Sequence, residues 1–100
     1  MNTFKNQGKL IFNFDEQLEE SKISKFGFRE YDARWLYPEE INKKGLELFG
    51  FGLGKFISNK KGNNSSIVIG HDYRSYSEEV KYHVAKGLLA SGINVTDKGL

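Results

Sequence analysis

Two short stretches gather side chains that can do chemistry. "FREYDARW", Phe28 to Trp35, brings Arg29, Glu30, Tyr31, Asp32 and Arg34 close together, and "HDYR" adds His71, Asp72 and Arg74. The planar fork of arginine donates two parallel hydrogen bonds, which suits the oxygens of a phosphoryl group. A tyrosine hydroxyl supplies a further, neutral donor. Asp32 and Asp72 each stand two residues before an arginine and can orient it by accepting its N–H. The chemistry suggested is the binding of a phosphorylated group. A plainer reading stays open beside it, in which Asp32–Arg34 and Asp72–Arg74 are ion pairs that brace two solvated loops.

Other stretches offer less. "GFGLGK", Gly50 to Lys55, looks like a phosphate loop but lies inside a helical pattern. Lys55 is followed by Phe56, so the G-x-x-x-x-G-K-[ST] spacing fails. His71 has no carboxylate-and-nucleophile set in its neighbourhood and reads as a hydrogen-bonded loop histidine. His83 falls near an apolar stripe, where packing or solvent exposure is the default. Trp35, Tyr37 and Tyr73 read as packing groups rather than stacking platforms for bases. No cluster has the spacing of metal ligands, and no metal residue is assigned.

The elements that must position these loops follow from periodicity. Residues 1–22 are polar and irregular apart from Leu10, Ile11, Phe12 and Phe14, and read as a loosely packed N-terminal extension with a short helix over "DEQLEESK". Ile23–Arg29 reads as a strand, weakened by Gly27. A helix is expected from Pro38 to Ser58, with proline at its first position and Glu39 and Glu40 favouring its N-terminal dipole. Its apolar face is Ile41, Leu48, Phe49, Leu53, Phe56 and Ile57, with Gly45 and Gly52 on the same stripe allowing close approach to a sheet. Ser66–Gly70 is a β-branched run that reads as a strand buried on both faces. Ser75 and Glu78 form a capping box for a second helix whose inner face is Val80, Val84, Gly87 and Leu88. Gly92 ends it. Ile93–Asp97 alternates as a third strand. The order strand-helix-strand-helix-strand predicts an α/β fold with a mixed or parallel sheet, and places the first two loops on one sheet edge, where such folds collect ligands.

Composition bounds the rest. The chain has 100 residues, 38% hydrophobic and 28% charged, enough for about one small globular domain. A net charge of +2, with the charges interspersed, does not point to nucleic acid. There are no cysteines, which excludes disulfides, thiolate metal sites and thiol nucleophiles within these residues. No apolar run approaches the roughly 20 residues of a membrane span. The N-terminus lacks a secretory apolar core, so a cytoplasmic protein without a membrane partner is expected.

Taken together, "FREYDARW" and "IVIGHDYRSYS" resemble the first domain of the α-D-phosphohexomutases, the phosphomannomutase and phosphoglucomutase family. Its opening motif has the form F-R-x-Y-D-x-R-G, and its second, G-[RK]-D-x-R, lies between a buried strand and a helix. The resemblance runs from about Phe26 to Leu100, in the same element order. It implies residues 23–100 as a partial first domain ending before the serine loop, T-[AG]-S-H-N-P in the family. It also implies transfer of a phosphoryl group between an active-site phosphoserine and a hexose phosphate, through a bisphosphorylated sugar that also serves as activator.

Tyr31 and Arg34 match the motif's tyrosine and final arginine and are implied to be catalytic. Arg29, Asp32, His71, Asp72 and Arg74 match positions that support the phosphate site. Magnesium is implied, bound by an aspartate loop of a later domain. The implied partners are the phosphosugar and the remaining domains of the same enzyme, and the 100 residues alone are expected to be inactive. A phosphoglucosamine-type mutase, or a non-enzymatic α/β module for phosphorylated ligands or a partner protein, are the alternatives. Three positions depart from the pattern. Trp35 replaces glycine, and a left-handed backbone there would strain it. Ala33 replaces a larger apolar residue. His71 replaces arginine or lysine and removes a fixed positive charge.

Overall fold

A computed structural model describes residues 2–4, 14–29, 32–62 and 64–99. The elements in chain order are β1 (Asn2–Phe4), α1 (Phe14–Glu20), α2 (Lys43–Lys61), β2 (Ser66–Ile69), α3 (Ser77–Ser91) and β3 (Asn94–Asp97), with a 3₁₀ turn at Lys25–Gly27. The sheet order is β1-β3-β2. β2 and β3 run parallel, with Ser66 opposite Asn94 and Ile69 opposite Asp97. β1 pairs antiparallel with β3, Asn2 opposite Asp97. The expected α/β class and the parallel pair joined through a helix are present.

The core lies where α3 crosses β3. Leu88, Ile93 and Val95 are fully buried, and Leu53, Ile57, Ile67, Ile69 and Val84 pack on them. The two long helices then approach each other backbone to backbone. A Cβ at Gly50 would collide with the Val84 carbonyl, and one at Gly87 with the carbonyl of Glu47. Glycine on α2 thus serves contact with α3 rather than the expected contact with a sheet. Gly45 does approach a neighbour, the Lys22 carbonyl, but Gly52 is exposed with nothing near it.

Several local expectations are corrected. Ile23–Arg29 is not a strand of the sheet. Ser24 caps a 3₁₀ turn, accepting from the Phe26 N–H at 3.3 Å, and the pairing seen among the described residues is two isolated bridges, Ile23–Ile41 and Phe28–Ala33. Phe26, within the expected strand, is 80% exposed. The chain turns here because the Trp35 indole fills the space beside Gly27, and its N–H reaches the Ser24 carbonyl at 2.7 Å. Among the described residues none but glycine has a positive φ, so Trp35 escapes the expected strain.

The first long helix begins at Lys43, not Pro38. Asn42 is the stronger start signal. Its Oδ1 accepts from the Gly45 N–H at 2.7 Å and the Lys22 N–H at 2.9 Å, and its Nδ2 donates to the Glu20 carbonyl at 2.9 Å. Gly62, at φ 103°, ends this helix, and Gly92, at φ 107°, ends α3 as expected. The Ser75 capping box does not form. Tyr76 occupies the cap position of α3 without a side-chain cap bond.

β2 is buried on one face only. Val68 is 58% exposed, because the core packs on the opposite face, which carries Ile67 and Ile69. The N-terminal stretch packs more closely than expected: Asn2–Phe4 joins the sheet, and Gln17 is buried, donating to Glu47 Oε1 at 2.8 Å. Among the described residues, no helix is long and apolar enough to cross a membrane.

Candidate phosphoryl-binding site

The first loop is held by its own backbone. The Arg29 N–H donates to the Asp32 carbonyl at 2.9 Å, and the Arg34 N–H to the Gly27 carbonyl at 2.8 Å. Asp32 accepts from Arg34 Nε at 3.0 Å. Trp35 stacks edge-on against Phe28 and Phe49, with ring centroids 4.9 and 5.3 Å apart, and so anchors the loop to α2. Glu30 and Tyr31 lie outside the described residues. Arg29 is exposed.

The second loop follows β2 and leads into α3. Asp72 accepts from the Arg74 N–H at 3.2 Å and from the Ser77 hydroxyl, and its carboxylate lies 3.4 Å from Arg74 Nε. The Ser77 hydrogen bond, then the Arg74 N–H and the nearby positive charge, hold the Asp72 carboxyl below its ordinary range. His71 is hydrogen-bonded, as its loop position suggested. Its backbone N–H donates to the Gly99 carbonyl at 3.1 Å, and its ring Nδ1 lies 2.9 Å from Lys81 Nζ. Lys81 in turn donates to Asp97 Oδ1 at 2.7 Å, and that oxygen also accepts the Gly99 N–H at 2.8 Å. These bonds, the lysine's first, hold the pKa of the Asp97 carboxyl below its ordinary value.

Both acid–arginine pairs foreseen in the sequence therefore exist. The arginine side chains are 72% and 65% exposed, and exposed pairs contribute only about 0–1 kcal/mol. Each pair engages Nε, while the other donors of the fork sit on the two terminal nitrogens. Bracing the loops and offering donors to an anion are then compatible. Arg34 and Arg74 line one groove of about 570 Å³, with Trp35, Tyr37 and Tyr76 beside them and Ile41, Leu46 and Phe49 as apolar lining. A smaller groove of about 350 Å³ is lined by His71, Asp72, Arg74, Ser77 and Lys81. Arg74 and Tyr76 border both.

A second set of contacts ties the turn after the first loop to α3. The Tyr37 hydroxyl donates to Glu79 Oε2 at 2.9 Å, and Lys43 pairs with Glu79 at 3.2 Å. Burial, then the hydrogen bond to the Glu79 carboxylate, pushes the Tyr37 phenol up to about 12. Tyr73, by contrast, is 90% exposed rather than packed. His83 is neither plain packing nor plain exposure: its Nδ1 lies 2.6 Å from Glu47 Oε2.

The family model described as "Phosphoglucomutase/phosphomannomutase, alpha/beta/alpha domain I" matches residues 25–100. The chain belongs to this phosphohexomutase family. Its relatives include a phosphomannomutase of Vibrio cholerae, 33% identical over 73% of this chain and 16% of the relative. A phosphomannomutase of Escherichia coli K12 is 37% identical over 73% of this chain and 15% of its own length. A probable phosphoglucosamine mutase of Pyrococcus abyssi is 42% identical over 74% of this chain and 14% of its own. The chain thus spans about one sixth of the length of these relatives. No solved structure matches it.

Lys81, Tyr37, Tyr76 and Glu79, which border the two grooves or tie their walls together, were not among the candidate site residues read from the sequence. Lys81 had one usable signal: it lies one turn after Ser77 and beside Val80 on the helix that follows the second motif.

Proposed function

We propose that these residues supply the phosphate-gripping loops of a phosphohexomutase, which interconverts hexose 1-phosphate and hexose 6-phosphate through a phosphoserine. The observation that carries this reading is the convergence of Arg34 and Arg74, from two separate motif loops, on one groove. In the transfer, the bond from phosphorus to the serine oxygen breaks as a bond to a sugar hydroxyl oxygen forms. The bisphosphorylated sugar then returns its other phosphoryl group to the serine. Arg34 stabilises charge on the transferring oxygens, and Tyr31, which matches the motif tyrosine, is assigned to the same step. Arg29, Asp32, His71, Asp72 and Arg74 shape the site. The reading carries with it a cytoplasmic setting, further domains of the same enzyme, and a hexose bisphosphate activator.

Among the described residues no three His, Asp or Glu side chains gather as a metal site. On this reading magnesium belongs to an aspartate loop of another domain. A second reading, a mutase acting on an amino sugar, is favoured by the 42% identity to the probable phosphoglucosamine mutase. A panel of mannose, glucose and glucosamine phosphates separates the two.

The test is the Arg34→Ala variant of a protein that carries this segment together with the family's serine loop. Its kcat/KM should fall by about 10²–10³. Unchanged turnover would remove Arg34 from the chemistry. The 100-residue chain alone should release no product in a coupled hexose 6-phosphate assay.

A further inference from the structure

His71 stands where the family pattern carries arginine or lysine, and it lines the smaller groove. Its neighbour Lys81 has a side chain only 10% exposed, held between His71 Nδ1 at 2.9 Å and Asp97 Oδ1 at 2.7 Å. A lysine ammonium has three donors and no acceptor. Lys81 donates to Asp97, and its ammonium has no lone pair to offer, so the imidazole nitrogen facing it must accept. A neutral imidazole accepts at one nitrogen and carries its proton on the other. We propose that Lys81 is a positioning residue which, anchored by Asp97, fixes His71 as its Nε2–H tautomer. His71 thereby presents a neutral N–H donor to the groove, where the family pattern presents a cation.

The backbone supports the same arrangement. The Gly99 carbonyl accepts the His71 N–H, and the Gly99 N–H donates to Asp97, so the ends of β2 and β3 hold both partners of Lys81 in place. The use of the donor for a phosphoryl oxygen rests on the function proposed above. The tautomer does not.

The experiment is long-range ¹H–¹⁵N NMR of the histidine rings of this chain at about pH 8, where histidine is ordinarily neutral. Resonances are assigned with His71→Gln. The expected result is a single His71 tautomer with a pyridine-type Nδ1 and a pyrrole-type Nε2. Lys81→Arg should retain it, and Lys81→Met should shift both nitrogens toward the averaged values of a free imidazole. A protonated Nδ1 in the unsubstituted chain would overturn the proposal whether or not the variants fold, as would unchanged ring shifts in folded Lys81→Met. Millimolar inorganic phosphate should then move the His71 Nε2 resonance and leave His83 in place. A fixed tautomer with no phosphate response would keep the role of Lys81 and overturn the phosphoryl reading.

Discussion

Glu47 shows how one buried charge is made tolerable. It is 2% exposed, and burial alone would raise its pKa. The hydrogen bonds from His83 and Gln17, with the charge of Lys86 at 3.6 Å, outweigh that and leave it below its ordinary value. A depressed carboxyl contributes stability above its unfolded value of about 4.5 and loses it as pH falls through the folded value. Glu47→Gln should therefore cost about 1–3 kcal/mol at neutral pH, where it breaks charge-assisted bonds to buried groups. In urea titrations the gap between the two proteins should narrow as pH is taken from 7 toward 3. A gap independent of pH would mean that the Glu47 charge does not matter to folding. Glu47, Gln17 and Lys86 did not stand out in the sequence, and His83 read only as packed or exposed. A glutamate inside a helical pattern is ordinarily solvated, and only the packing of α1 and α3 on α2 encloses this one.

At the scale of elements, the glycines of the two long helices divide by contact. Gly87 faces the Glu47 carbonyl and Gly52 faces open space. Gly87→Ala should push the helices apart and destabilise by about 1–3 kcal/mol or more. Gly52→Ala should stabilise by up to about 1 kcal/mol, the helix-propensity gain of an exposed position. Opposite signs in the denaturation midpoints check both, and a neutral Gly87→Ala would contradict the backbone contact.

The same contrast explains what could be read in advance. The β2–α3–β3 unit was legible because its signals are local: a β-branched run, an apolar stripe and a terminal glycine. The strand expected over Ile23–Arg29 failed because Gly27 answers to Trp35, a tertiary partner. Pro38 lost to Asn42 because the asparagine bonds two elements at once. In the site, the motif residues were legible by type and spacing. Lys81 was not, since its meaning depends on Asp97 and His71 meeting over the ends of two strands.

The whole molecule has a Cα radius of gyration of 13.0 Å, what a compact chain of this length shows. Among the described residues the sheet has three strands, with β2 at one edge. Val68 presents an apolar side chain there, and unpaired strand edges invite association. Purified on its own, the 100-residue chain should self-associate, and Val68→Lys should lower its weight-average mass in sedimentation while changing stability by less than about 0.5 kcal/mol. Equal association of both proteins would locate the contact elsewhere.

Asn42 joins the end of α1 to the first turn of α2 with three hydrogen bonds from a single amide. One side-chain rotation would break all three, so neither helix end can fray alone. The amides of Lys22 and Gly45, 23 residues apart in sequence, then exchange with solvent through one shared opening event. The N-terminal helix is for this reason part of the same cooperative unit as the scaffold that carries the arginine loops.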